Sequence, residues 1–332
     1  VSKEIQRWAD SQQYAREPIP EESRRKISVS LLNATPDPLG SLVALNGIYT
    51  GKVIRNLSDP RITDETRRQA LEDMLSTTLS GPLESVQFHF LIEGVTRSIT
   101  HQMVRSRFSF FAQESLRFAV PDGDWAEEIP LPPYLSRTHG NDAPGAETRP
   151  VEYARNIWDE HMQNTQRAYQ GLINCGMPAE EARGILPHDM PTRIHWVMDL
   201  RTLLLEAGKR TCTQAQFPWR IIFGEIAKAL REYGSQFGNG GPGNPEHGCD
   251  EWQFHLIADK IRPVCYQVGR CTFMAQFDRD CSIRGRVDQN AKAGRPSSEW
   301  HDDAEVPTSL GRVIPDIQDW EWAADPAAAR RA

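Results

Sequence analysis

The segment 85–95, SVQFHFLIEGV, constrains the fold more than any other. Val86, Phe88, Phe90 and Ile92 point one way, and Gln87, His89 and Glu93 point the other. That alternation is the period of a strand buried on one face and wet on the other, so the chain must build a sheet with a covered side. A second strand is predicted over 27–32, stopped by the Asn, Asp and Pro of NATPDP. Helical spacing fills much of the remainder. A helix opens at Pro38, and 62–79 sets Leu71, Met74, Leu75 and Leu79 on one side. Further helical patterns run over 151–175, 178–184 and 192–207, the last broken at Gly208. Thr213-Gln-Ala-Gln216 reads as a capping box starting a helix to about 234, and 250–262 is helical again.

Between these elements, 120–150 is rich in Pro, Gly, Asp and Asn and reads as a long surface loop or insertion. FGNGGPGNPEHG (237–248) reads as a linker, and residues 1–26 and the stretch beyond about 286 as polar extensions. No internal repeat is visible. The expected organisation is an N-terminal extension (1–26), a core domain (27–237) and a C-terminal extension (238–332).

Composition excludes several classes. The 332 residues hold 39% hydrophobic side chains, enough for a core, and 25% charged ones, an ordinary soluble surface. No apolar run approaches the roughly 18 residues of a membrane span, and 1–26 lacks the apolar stretch of a secretory leader. The net charge of −7 argues against a non-specific nucleic-acid coat. Six cysteines (175, 212, 249, 265, 271 and 281) are too few for a disulfide scaffold, so a reduced cytosolic setting is expected. His247, Cys249, Cys265, Cys271 and Cys281 offer candidate metal ligands, but without a tight CxxC pair; bland buried thiols are the simpler reading.

Chemistry concentrates in 96–118, TRSITHQMVRSRFSFFAQESLRF. If 96–106 is helical, Arg97, His101 and Arg105 share a face, with Gln102 beside them. Guanidinium forks with amide and hydroxyl donors suit a phosphate; a solvated basic face is the plain alternative. A second cluster holds Arg183, Arg201, Arg210, Gln214, Gln216 and Arg220. On one unbroken helix Arg201 and Arg210 would point to opposite sides, and a break at Gly208 would lift that constraint. Ordinary charge complementarity at a helix end explains the same residues without a ligand. Neither a phosphate-binding P-loop nor GxGxxG is present.

RSRFSFFAQESLRF (105–118) resembles the signature of the flavin-dependent thymidylate synthases, which opens on Arg-His-Arg and closes on Ser-x-Arg-Tyr. LLNATPDP, ESVQFHFLIEGVTR, EARGILP (181–187) and DLRTLLLEAGKRTCTQAQ (199–216) resemble further blocks of that family in the same order, covering about 27–235. The resemblance implies an α+β fold, a central sheet flanked by helices, assembled as a homotetramer with active sites at subunit interfaces. It implies FAD as cofactor, with NADPH and methylenetetrahydrofolate as co-substrates, and a pyrimidine deoxynucleotide monophosphate as substrate.

Carried over by position, the nucleotide site would use Gln102, Gln113, Ser115, Arg117, Arg183 and Arg210, with Arg210 polarising the base and counted as catalytic. The flavin site would use Glu84, Arg105, Ser106, Arg107, Asp199, Arg201 and Gln214. The nucleotide set matches the family pattern throughout, whereas the flavin side departs from it. Ser106 stands for the signature His, Phe110 for its first Ser, Phe118 for its Tyr and Asp199 for an Asn, and Ser85 follows Glu84 where a His is usual. The reading is a flavin-dependent enzyme modifying C5 of dUMP, by default methylating it to dTMP. Its alternatives are hydroxymethylation, hydroxylation or methylation of dUMP or dCMP for modified phage DNA, and a non-catalytic nucleotide-binding relative.

Overall fold

In the computed structural model of the protein, residues 27–77, 80–130 (apart from Asp122), 149–212, 215–237 and 251–268 are described, with a few isolated positions beyond. The N-terminal extension, most of the 131–148 segment and the 238–250 linker lie outside the described residues, as does nearly all of the chain after 268. Strands β1 (Ser28–Ala34), β2 (Gln87–Thr96), β3 (Ser109–Gln113) and β4 (Pro191–Asp199) form one antiparallel sheet in the order β1-β2-β4-β3. With its flanking helices it makes the α+β architecture expected from the sequence.

β2 behaves as its alternation predicts. Val86 just before it, and Phe88, Phe90 and Ile92 within it, are buried, while His89, Leu91 and Glu93 are half-buried on the other face. Its register shifts between Ile92 and Val95, where Gly94 takes a φ of 70° that a side chain would resist. On the outer face His89 Nε2 lies 2.9 Å from His195 Nδ1, and Arg193 pairs with Glu93 at 3.0 Å.

Helices α1 (Pro38–Tyr49) and α2 (Asp64–Ser76) connect β1 to β2. Asp37 caps α1 through Gly40 N at 2.9 Å and also accepts Arg67 Nη2 at 2.9 Å, so one carboxylate ties the two helices. In α2 Leu71 and Met74 are buried, but Leu75 faces outward and Leu79 lies outside the described residues. Thr63 and Thr66 close a capping box at its start.

Three expectations are corrected. Residues 192–207 are not a single helix: β4 runs to Asp199 and turns directly into a helix over Leu200–Arg210, which is α6, since α3 (Arg97–Met103), the 26-residue α4 (Arg149–Asn174) and α5 (Ala179–Ala182) precede it. Thr192, Ile194, Trp196 and Met198 are buried in alternation, a strand period that the apolar run of α6 obscured. Nor does Gly208 break the helix, because α6 spans Leu200–Arg210 without interruption. Gly208 instead makes room: a Cβ there would lie 3.0 Å from Gln267 Oε1. Third, the helix expected over 96–106 ends at Met103, leaving Arg105 beyond it, and β3 follows where no strand was predicted.

Helix α7 (Phe217–Phe237) lies across β1 and β2, completing the main core with Trp219, Ile222, Phe223, Ile226 and Leu230. Past the linker, α8 (Glu251–Asp259) packs on α7, burying Phe254 and Ile257 completely, and α9 (Val264–Val268) packs on α6. The first part of the expected C-terminal extension is therefore core. Gln253, 1% exposed, accepts Leu39 N at 3.0 Å, and Gln267 Nε2 donates to Leu204 O of α6 at 3.2 Å. A smaller cluster around Trp125, Met162, Tyr169 and Met190 secures α4 against the rest. No helix among the described residues is long and apolar enough to cross a membrane.

Candidate functional site

β4 sorts the expected site residues into two groups. Gln113 pairs with Ile194 near its start, while Ser109 pairs with Met198, and Gln87 with Asp199, at its end. Ile194 and Met198 are four residues apart, about 13 Å along the strand.

At the start of β4 the side chains form two hydrogen-bonded groups, both anchored on α3. Gln113 Nε2 donates to Thr100 Oγ1 at 3.0 Å and Thr192 Oγ1 at 3.3 Å, joining β3, α3 and β4 through two fully buried hydroxyls. Two residues on, Gln102 Oε1 accepts Trp219 Nε1 at 3.0 Å and Arg210 Nη1 at 3.3 Å, and its Nε2 donates to Gln216 Oε1 at 2.6 Å. The Arg210 guanidinium carbon sits 4.3 Å over the centre of the Trp219 ring, a cation–π distance. Its Nε lies 3.5 Å from Glu206 Oε2, and Lys209 Nζ is 3.0 Å from Glu206 Oε1. Glu206 is buried at 5% exposure, so two cations compensate a carboxylate that burial alone would penalise.

This arrangement explains how an unbroken α6 serves both clusters. Arg201 and Arg210 point to different surroundings, as helical geometry requires: Arg201 bonds Glu84 and Arg210 bonds Gln102.

Trp219 and Glu206 are the residues that sequence reasoning missed. Glu206–Arg210 has the i, i+4 spacing of a helix ion pair, a legible signal. Trp219 offered none, because an indole at helical spacing normally reads as core. It is core as well: it packs edge-on to Trp196 with ring centres 6.3 Å apart, and Trp196 stacks on Phe111 at 5.7 Å.

The remaining expected nucleotide residues are on exposed connections. Ser115 Oγ accepts Arg117 N at 3.3 Å, closing a local turn, and the Arg117 guanidinium lies 5.3 Å from the Phe118 ring centre. Arg183, exposed, donates to Glu180 O at 3.2 Å at the end of α5. Neither arginine is joined to Gln102 or Arg210 by a hydrogen bond in the described structure. Of the wider basic clusters, Arg97 donates to Glu114 O at 2.8 Å, and His101 lies edge-on to His188 at 5.2 Å. Arg220 lies 5.2 Å from the Phe217 ring centre, and burial pushes its pKa down.

At the other end of β4 the residues expected on the flavin side are open. Arg201 and Glu84 pair at 2.5 Å with about half of each side chain exposed. Arg105 and Arg107 are exposed, and Ser106 Oγ lies 3.4 Å from Ser109 Oγ. Asp199 faces its own helix, where Oδ1 accepts Thr202 N at 2.7 Å as the N-cap of α6. Gln214 lies outside the described residues. Phe108 adopts a φ of 60° and is 85% exposed; Phe110 and Phe118 are 65% and 59% exposed. A left-handed bulky residue at a surface is strained backbone of the kind that gathers at binding sites. Exposed guanidiniums beside exposed rings match what a flavin dinucleotide needs, cations for its diphosphate and apolar faces for its ring.

Of the candidate metal ligands, Cys265 is buried and Cys271 half-buried, while His247, Cys249 and Cys281 lie outside the described residues. No group of three or more His, Cys, Asp or Glu positioned to hold a metal occurs among the described residues.

The family model of the thymidylate synthase complementing protein matches residues 30–233. The flavin-dependent thymidylate synthase of Geobacter sulfurreducens is 29% identical over 227 residues, covering 68% of this chain and 91% of that protein. The enzyme of the same name from Pyrococcus furiosus is 29% identical over 249 residues, covering 74% and 89%. Among solved structures, a UMP/dUMP methylase from Streptomyces cacaoi bound with 5-Br dUMP aligns with a TM-score of 0.52 at 18% identity, over 63% of this chain and 92% of that one.

Proposed function

The chain belongs to the thymidylate synthase complementing protein family, and on that premise we propose that it is a flavin-dependent enzyme methylating dUMP at C5 to give dTMP. The observation that carries the reading is the Gln102–Arg210–Trp219 group, a pre-formed set of donors held rigid by the core next to the family's signature segment. Arg210 would lie against the pyrimidine and draw charge toward its carbonyls. Gln102 and Gln113 would flank the base, and Ser115, Arg117 and Arg183 would bind the phosphate from the exposed connections. A charge-assisted clamp of this kind orients the substrate, which is the protein's main contribution when a cofactor carries the chemistry.

Arg105, Arg107 and Arg201, with Glu84, Ser106, Asp199 and Gln214, would hold FAD. When bound and reduced, FAD supplies the hydride that completes the new methyl group. Methylenetetrahydrofolate is the proposed carbon donor and NADPH the proposed reductant. Gln113 pairs near the start of β4 and Ser109 near its end, and that separation supports a homotetramer whose active sites each draw on more than one chain. A cytosolic setting, in a bacterial or phage-infected cell, suits this chemistry.

The exposed Phe110, standing where the family signature has a hydroxyl, supports a second reading: a changed one-carbon step such as hydroxymethylation, or a cytosine substrate. The test is product mass after incubation with FAD, NADPH and methylenetetrahydrofolate, with dUMP and dCMP offered separately. One methyl group gained on dUMP alone is the expected result. A different mass gain, or any gain on dCMP, would replace the first reading by the second; no product with either would leave a binding protein.

A further inference from the structure

Trp219 has a chemical consequence beyond packing. An indole Nε1 and a guanidinium donate hydrogen bonds and never accept them. Both point at the same atom, Gln102 Oε1. That pair of donors fixes the Gln102 amide: a flip would turn its NH2 against two other donors. The fixed amide in turn directs Nε2 at Gln216, so Gln216 must present its own Oε1, as it does at 2.6 Å. Gln102 Nε2 commits one of its two N–H groups to Gln216 and the Gln216 amide carries two more, so the relay brings donors beyond its own bond, and Arg210 brings N–H groups of its own. The wall built this way is made of donors.

We infer that Trp219 is a specificity-determining positioning residue, which locks the Gln102–Gln216 amide relay so that the site offers donors to a carbonyl oxygen and rejects an amino group. The inference rests on the nucleotide-site reading given above and deepens it. Uracil presents an acceptor at the position where cytosine presents an NH2, so the relay favours dUMP over dCMP. A site committed to one hydrogen-bonding pattern discriminates strongly, because the wrong base leaves polar groups unpaired. The lock is itself rigid: Trp219 is fully buried, wedged against Trp196 and Phe223. Glu206 holds Arg210 from the far side of its guanidinium.

Dissociation constants for dUMP and dCMP, measured by calorimetry on the FAD-saturated protein, test this. The ratio is the informative quantity, since both nucleotides carry the same phosphate and any general loosening of the site cancels. Wild type is expected to favour dUMP by more than about tenfold. Trp219→Phe keeps a ring beneath Arg210 but deletes the N–H, so the ratio should fall about tenfold while dUMP still binds. Gln216→Glu is an exposed, isosteric change that folds even if the buried variant does not. It replaces the free donors by acceptors and should lower or invert the ratio. Dissociation constants whose ratio is unchanged within twofold in Gln216→Glu, or in a folded Trp219→Phe, would overturn the inference while leaving the nucleotide site standing. Wild type that binds neither nucleotide would overturn the site reading itself, and the inference with it.

Discussion

The two ends of α6 carry arginines nine positions apart, and their surroundings differ in kind. Arg210 stacks on a fully buried indole and contacts a buried carboxylate and an amide already committed on both its atoms. Arg201 reaches across open surface to Glu84. The first is a packed group whose contacts are all made within one chain, with its ordering entropy already lost on folding. The second is open surface, with rings and guanidiniums exposed. The departures from the family signature include Phe110 and Phe118, 65% and 59% exposed, and the half-buried Ser106, side chains with a solvent face. Of the residues matching the family, Gln102, Gln113 and Arg210 are held by hydrogen bonds to packed side chains, whereas Ser115, Arg117 and Arg183 lie on the exposed connections.

If the contrast holds, substitution should have unequal effects along α6. Arg210→Ala is expected to have the largest effect. It removes the guanidinium from the base and leaves Glu206 to Lys209 alone, so dUMP affinity should drop at least about a hundredfold and stability by about 1–2 kcal/mol, read by calorimetry and urea unfolding. Affinity within threefold of wild type would sink the assignment of the closed end.

In the middle of the helix, Gly208 and Gln267 offer a double-mutant cycle. Alanine in a helix is about 1 kcal/mol better than glycine, but here its Cβ would press on a side chain held by Leu204 O and Arg262 O. Gly208→Ala alone should change stability little, whereas in a Gln267→Ala background it should gain close to the full 1 kcal/mol. Equal effects in both backgrounds would mean that α9 does not brace α6.

Arg201→Ala should shift stability by less than about 0.5 kcal/mol, since the pair it breaks is solvent-screened. Its dUMP affinity should be unchanged and its FAD affinity about tenfold lower, measured by flavin fluorescence. A loss of dUMP binding would erase the distinction between the ends. Asp199→Asn should alter less still, because asparagine caps a helix as well as aspartate and the carboxylate is already engaged by Thr202 N.

Tyr169, in the smaller cluster with Trp125, Met162 and Met190, provides a baseline. Burial raises its pKa above the ordinary value of 10.0 by favouring the neutral phenol. The stability that this shift confers is therefore present below pH 10 and is lost as pH rises through the shifted value. Tyr169→Phe should be nearly neutral at pH 7 and should flatten that alkaline decline in a pH series of thermal melts.

Much of this was legible in the sequence because the signals were local. The period of β2 is written in Val86, Phe88, Phe90 and Ile92, and the opening of α1 in Pro38. Family-like blocks carried the α+β class and named Gln102 and Arg210. The β4–α6 junction was not legible, because an apolar run fits either period and the switch at Asp199 is marked only by a cap. Gly208 likewise reads as a breaker until Gln267, far along the chain, is seen against it.

By itself, then, the sequence determined which residue types were available and where each element would favour strand or helix, since propensity and periodicity act over a few neighbours. Tertiary structure decided which of the arginines became fixed. Trp219 lies 117 positions from Gln102, and Gln267 63 positions from Leu204. Contacts at such separations exist only after the core has closed. The donor-only geometry at Gln102 is a property of that closed core, and no local stretch of the chain encodes it.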